Sequence, residues 1–252
     1  MANSISKFAA LFLLVLTQPA APAVPETNAA PAPSPVFLVY YDTLRLNAQK
    51  AYLADTNQFT TAARLGRTCF DAGEFATNSA QRAAFALEGI AASQQAIDLK
   101  TNEAAGYYYL GLNQGQLART KSLGAIKLVT TMTAAFQRAR ELDPKIDFAG
   151  PDRCLGLLYR DAPGWPISVG NKRLARQYLV KANEVAPAFP ENPLNLIEAL
   201  VMWGETKAAT DKIPALQAVM TKARTNLVGE PWAASWQDWS NRLQRLPPVP
   251  KK

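Results

Sequence analysis

Side chains that commonly take part in catalysis are scarce in this chain. It contains no histidine, so the commonest general base and metal ligand is absent. Its two cysteines, Cys69 and Cys154, lie far apart in the sequence, and no histidine is available to activate either thiol. No G-x-S-x-G, glycine-rich phosphate loop or H-E-x-x-H motif occurs. We therefore predict no catalysis, no metal site and no cofactor.

Paired carboxylates remain as the other catalytic candidates. Asp143 and Asp147 form one pair, and Asp152 and Asp161 form another. Both pairs fall near predicted helix ends, where carboxylates ordinarily cap the backbone or interact with the helix dipole.

The net charge of +7 comes from basic residues interleaved with acidic ones rather than from a basic stripe. The charge pattern therefore predicts no nucleic-acid partner.

The elements that would position any functional side chain are revealed by a recurring pattern. Tyr107-x2-Leu110-Gly111 is followed by Phe136, Ala139 and Pro144. The same order recurs as Leu155-Gly156-x2-Tyr159, then Leu179, Ala182 and Pro187. In both copies the alanine precedes the proline by five residues and the large apolar residue precedes it by eight. This is the helix-pair signature of tetratricopeptide repeats, which stack to form a concave binding surface.

Two further copies complete the predicted architecture. The first pair begins at Leu65-Gly66 and has Ala96 as its late alanine, and a fourth runs from Pro193 to Ala223. The helix signatures within each pair lie further apart than in a repeat of about 34 residues. The sequence thus predicts an all-α protein, an α-solenoid of about four degenerate, elongated tetratricopeptide-like helix pairs. We expect Cys69 and Cys154 to be buried and unbridged, because only neighbouring repeats of a solenoid touch.

The chain ends have compositions of their own. A basic start, an apolar run and an A-x-A site predict a signal peptide over residues 1–23, and hence a periplasmic or secreted protein. No cysteine for lipid attachment follows, and no transmembrane span is predicted in the mature chain. Residues 24–35 are expected to be a flexible Ala/Pro-rich leader, 36–246 the helical-repeat domain and 247–252 a disordered tail. Trp232, Trp236 and Trp239 predict a C-terminal helix, read as a cap on the solenoid or as an aromatic ligand strip.

One loop carries a more specific resemblance. The segments Ala105–Leu112, Ser122–Leu128 with Phe136–Pro144, and above all the A-P-G-W-P-I-S-V-G-N loop at Ala162–Asn171 are similar to one protein family. This is the T-component family of tripartite ATP-independent periplasmic (TRAP) transporters. The resemblance implies an exported all-α protein that associates with a substrate-binding partner or carries a small apolar ligand. It also implies that a homo-oligomer is an alternative, since some members are trimers.

The predicted binding face consists of inward-facing positions on the first helix of each pair. These positions hold Tyr108, Leu112, Arg153, Leu157, Arg160, Leu194, Glu198 and Val201. Two arginines among apolar residues suggest an anionic partner, because a guanidinium binds a carboxylate bidentately. The alternative is that Arg153 and Arg160 simply pair with Asp152 and Asp161.

Trp165 in the Pro-Gly-Trp-Pro loop is interpreted either as a buried anchor between helix pairs or as a ligand contact. The leading functional hypothesis is an exported adaptor that binds a protein partner, such as a periplasmic solute-binding protein. The alternative is a carrier of a small apolar or amphipathic organic ligand in the concave face. A structural scaffold of the cell envelope is a third reading.

Overall fold

The structure is a computed structural model and describes residues 35–121 and 125–249. The predicted signal peptide, nearly all of the leader and residues 250–252 lie outside the described residues. The helices are α1 (Pro35–Ala54), α2 (Phe59–Glu74), α3 (Ser79–Leu99), α4 (Ala104–Ala118), α5 (Ala125–Leu142), α6 (Ile146–Asp161), α7 (Lys172–Val185), α8 (Glu191–Met202), α9 (Thr206–Thr210), α10 (Ile213–Ala223) and α11 (Glu230–Gln244). None of these helices is both long enough and apolar enough to span a membrane.

The predicted helix pairs are present in the predicted order. Helix α2 packs on α3, α4 on α5 and α6 on α7, and each pair also packs on the next. The fourth pair is α8 with α10, separated by the short α9. Asn171 caps α7 as expected, since its side chain accepts a hydrogen bond from the Leu174 N–H at 3.0 Å. The all-α solenoid is therefore confirmed.

The glycine of each Leu-Gly start allows close packing within its pair. A Cβ at Gly111 would lie 2.6 Å from the Phe136 ring, and one at Gly156 would lie 2.7 Å from Leu179. Gly66 of the first pair is equally crowded, with a serine hydroxyl at 2.4 Å from the same position. Phe136 and Leu179 are the large apolar residues of the sequence signature. The spacing of the signature thus reflects direct contact between the two helices of a pair.

The C-terminal helix α11 is also present, and it reaches further than a cap on α8. Its C-terminal half packs on α8, where Trp239 lies fully buried. Its first turn lies beside α1, where the Tyr41 hydroxyl donates a hydrogen bond to the Pro231 carbonyl at 3.1 Å. Ala234 belongs to the apolar cluster of Tyr41 and Phe75. Helix α11 therefore connects the first helix of the solenoid to its fourth pair.

Candidate binding surfaces

The apolar residues predicted for the concave face lie in the core. Tyr108, Leu112 and Leu157 are almost completely buried in the main hydrophobic cluster, as is Leu194. The Tyr108 hydroxyl donates to Asp147 Oδ2 at 2.6 Å, which fixes the ring beneath the start of α6. These four side chains hold the helices together and present no surface to a partner. The structure thus places these predicted concave-face residues in the core, and a role for them in binding stays a prediction.

Arg153 is likewise fully buried, and both of its terminal nitrogens bind groups within the fold. Its Nη2 lies 2.9 Å from Asp147 Oδ2, and its Nη1 donates to the Phe148 carbonyl and to Asn192 Oδ1, each at 3.1 Å. Although burial alone would lower it, the pKa of Arg153 is raised by nearby groups that include Tyr108 and Asp147. The predicted groove contact was wrong. So was the predicted pairing with Asp152, which binds Arg140 instead.

The Arg153 bonds stabilise an unusual backbone turn that the sequence did not reveal. Asp147, Phe148 and Ala149 have φ angles of 49°, 55° and 65°, so three consecutive residues other than glycine are left-handed. Such conformations cost free energy and persist only where surrounding contacts enforce them. Arg153 donates to the carbonyls of two of these residues. Its role is therefore to hold the entry into α6 against α8, through Asn192.

Arg160 forms the local pair that was the alternative to partner binding. Its Nε lies 2.6 Å from Asp161 Oδ1 and its Nη2 lies 2.9 Å from Asp161 Oδ2. The side chain of Arg160 is only 3% exposed. Both arginines of the predicted anion site thus form ion pairs within the protein, Arg160 with the adjacent Asp161 and Arg153 with Asp147.

Glu198 binds the C-terminal helix rather than an external partner. Arg242 of α11 places its Nε 2.8 Å from Glu198 Oε1 and its Nη2 2.7 Å from Oε2. Arg242 Nη1 also lies 2.7 Å from Glu191 Oε1, and the Trp239 indole N–H donates to the same glutamate. Asn195 accepts a further bond from Arg242. The polar side of α8 therefore recognises α11 through a buried charged network.

Trp165 lies on the surface, 89% exposed, so its interpretation as a buried anchor was wrong. The loop that carries it is nevertheless ordered by backbone hydrogen bonds. The N–H groups of Ile167 and Ser168 both donate to the Gly164 carbonyl, at 3.0 and 3.2 Å, and the Gly170 N–H donates to Pro163 at 2.8 Å. Ile167 beside Trp165 is 52% exposed. This loop, Ala162–Asn171, presents two large apolar side chains from a fixed backbone.

A cavity of about 480 Å³ opens between α1, α2, α4 and the start of α11. Its polar lining comes mainly from α2, where Arg64, Arg67 and Asp71 lie on one helix face. Burial raises the pKa of the Asp71 carboxyl to about 7, although the nearby Arg67 opposes that rise. Sequence reasoning missed this cavity. The helical spacing of the three charged residues could have pointed to it.

Both cysteines are free and buried, as predicted. Burial raises the pKa of the Cys154 thiol to about 12, and it raises the pKa of Cys69 as well. Thiols with raised pKa values are poor nucleophiles at neutral pH. Across the part of the chain that the structure describes, no cluster of three or more potential ligands could hold a metal ion.

Comparison with known proteins bears on the fold. No family model matches the chain, and no curated protein matches it. Among solved structures, the crystal structure of MamA is 20% identical in sequence and superposes with a TM-score of 0.50. The match covers 73% of this chain and 91% of the MamA chain. The chain therefore has a tetratricopeptide-like helical fold, while the resemblance to the transporter T-components stays a prediction.

Proposed function

We propose that this protein is a non-catalytic adaptor that binds a protein partner through the Ala162–Asn171 loop. The observation that carries the proposal is the 89% exposure of Trp165 on a backbone fixed by its own hydrogen bonds. Tryptophan is one of the side chains enriched among the residues that dominate binding energy at protein interfaces. A loop that is already ordered loses little entropy when it binds. Trp165 and the adjacent Ile167 would together fill an apolar pocket of the partner.

The concave face is already covered by another part of the chain, which favours the loop as the binding site. Helix α11 already covers α8 through Arg242, Glu198 and Glu191, so a partner would have to displace it. The loop needs no such rearrangement. The finer proposal is that the partner is a periplasmic solute-binding protein, for which the support is the resemblance of this same loop to the transporter T-components. Export to the periplasm or secretion is part of that proposal, and a homo-oligomer is its alternative.

The test compares two variants of the purified protein. Trp165→Ala should abolish capture of the partner from the source organism, whereas Leu87→Ala should retain it. Leu87 is the matched control because it is an exposed apolar residue, 55% accessible, on the distant helix α3. The captured protein would be identified by native mass spectrometry and its affinity measured for both variants. Equal affinity for Trp165→Ala and Leu87→Ala would contradict the assignment of the loop.

A carrier of a small organic ligand is the second candidate. The observation that favours it is the cavity between α1, α2 and α4, whose volume falls within the range of about 300–1,000 Å³ typical of ligand sites. The lining of this cavity does not include Tyr108, Leu112 or Leu157, beside which the sequence analysis predicted the ligand of a carrier. A small molecule that copurifies with the protein and is released on unfolding would support the carrier over the adaptor.

A further inference from the structure

The α1–α2–α4 cavity has the features of a built binding site rather than a surface cleft. Its walls come from α1, α2 and α4 and from the first turn of α11. The rings of Tyr40, Tyr41 and Tyr109 and the aliphatic side chains of Leu44, Ala63 and Pro231 give it an apolar body. The charged groups are concentrated on α2. Ligand sites typically combine such an apolar lining with a few polar groups that fix orientation.

Two polar atoms of the lining lack hydrogen-bond partners among the described residues. They are Asp71 Oδ1 and Arg67 Nη2, and Asp71 is only 4% exposed. The two side chains form an ion pair through other atoms, because Arg67 Nε lies 3.5 Å from Asp71 Oδ2. Buried polar groups are ordinarily satisfied by a partner. Each of the two side chains therefore has one buried polar atom without a partner, and both residues line the cavity.

The charge of the site favours an anion. Arg64 is exposed and forms no ion pair with any described residue, so it adds a second positive charge at the cavity. The lining itself thus holds two guanidinium groups and one carboxylate, while Asp147, Glu74 and Glu230 act on it from outside the lining. A carboxylate is the group that guanidinium donors bind best, because two parallel N–H···O bonds can form. The ligand must also offer a donor, since the ionised Asp71 carboxylate can only accept.

We propose that this cavity binds a small α-carboxylate with an N–H donor on the same carbon atom and an apolar side chain. The carboxylate meets Arg64 and Arg67, and the N–H group donates to the Asp71 carboxylate. The apolar side chain lies among Tyr40, Tyr41 and Leu44. Free amino acids and the C-terminal residue of a peptide share this chemistry. The proposal rests on the carrier candidate, whose ligand it specifies, and is independent of the Trp165 loop between α6 and α7.

The experiment measures binding of five probes to the purified full chain by titration calorimetry at pH 8. Leucine and phenylalanine represent free amino acids, and glycyl-leucine represents a peptide end. Leucinamide lacks the carboxylate, and 4-methylpentanoate lacks the N–H group. We expect saturable binding by at least one of the first three, and at least roughly tenfold weaker binding by the last two. Tighter binding of leucine or phenylalanine indicates a free amino acid, and tighter binding of glycyl-leucine indicates a peptide end.

Three variants distinguish the site from general charge effects. Arg64→Gln should weaken binding at least roughly tenfold without affecting folding, because Arg64 is exposed. Asp71→Asn should weaken it similarly. Arg173→Gln, which removes an exposed arginine of α7, should leave the affinity unchanged. The proposal is overturned if none of the three expected ligands binds saturably, if leucinamide binds as tightly as leucine, or if Arg64→Gln binds like the unaltered chain.

Discussion

Arg242 on α11 and Glu198 on α8 form a bidentate ion pair between helices that are far apart in the sequence. The Nε to Oε1 distance is 2.8 Å and the Nη2 to Oε2 distance is 2.7 Å. Arg242 is 7% exposed and also compensates the buried carboxylate of Glu191. The pair therefore fixes α11 in place and keeps Glu191 from being a buried, uncompensated charge.

Replacing Arg242 should strongly destabilise the protein. Arg242→Ala would leave Glu191 buried without its partner, and breaking a buried pair in this way costs about 3–5 kcal/mol. Urea unfolding followed by circular dichroism would measure the change in the free energy of unfolding. The control is Lys207→Ala, which removes an exposed pair with Asp211 and should cost less than about 1 kcal/mol. Similar losses in both variants would mean that the α11 network contributes little.

Trp165→Ala should change stability by no more than about 0.5 kcal/mol, because an exposed side chain has little packing to lose. Trp239→Ala should cost about 3–5 kcal/mol, since Trp239 is 1% exposed in the core. Thermal unfolding of the two variants provides the comparison. A large loss for Trp165→Ala would show that the loop packs against the body of the protein after all.

Gly156→Ala should be destabilising although it is a minor change in size. The added Cβ would lie 2.7 Å from Leu179 and 3.0 Å from the Leu179 backbone nitrogen, so α6 and α7 would have to separate. Overpacking of this kind costs about 1–3 kcal/mol. Gly164→Ala is the control, because the nearest atom to its added Cβ would be 3.8 Å away. Equal stability of the two variants would contradict the close contact within the third pair.

Asp71 should make the stability of the protein depend on pH. Burial raises the pKa of its carboxyl from 3.8 to about 7, with Arg67 opposing the rise and Asp147 and Glu74 adding to it. The tyrosines Tyr41 and Tyr109 pack nearby on α1 and α4.

Because the folded state holds this proton more tightly than the unfolded state, the contribution of Asp71 is fully present below pH 3.8. It is lost as the pH rises through about 7. Asp71→Asn should therefore show a smaller fall in stability between pH 5 and pH 8 than the unaltered chain, measured by urea unfolding at each pH. Asp98→Asn, at an exposed site on α3, should follow the unaltered chain. A parallel fall in the Asp71→Asn protein would contradict the raised pKa.

The helix pairs could be predicted from sequence because their signals are local. The Leu-Gly start and the late alanine report contacts such as that of Gly156 with Leu179, which recur at a nearly constant spacing. The binding surface could not be predicted in the same way. The burial of Arg153 depends on a left-handed turn and on Asn192, and the masking of Glu198 depends on Arg242, a residue 44 positions away. The exposure of Trp165 had no signal in the sequence that separated it from a buried anchor.

The contact of α11 with both α1 and α8 changes how the chain can fold. In an open array of repeats, each unit gains stability only from its neighbours, so folding can start anywhere and the ends fray. Here the Tyr41–Pro231 bond joins residues 190 positions apart. Contacts of such long range slow folding, since the chain entropy lost in closing the loop precedes the gain. During synthesis, α1 and α8 also remain without this shared neighbour until residues 230–244 have emerged from the ribosome, so α1 and the fourth pair complete their packing together.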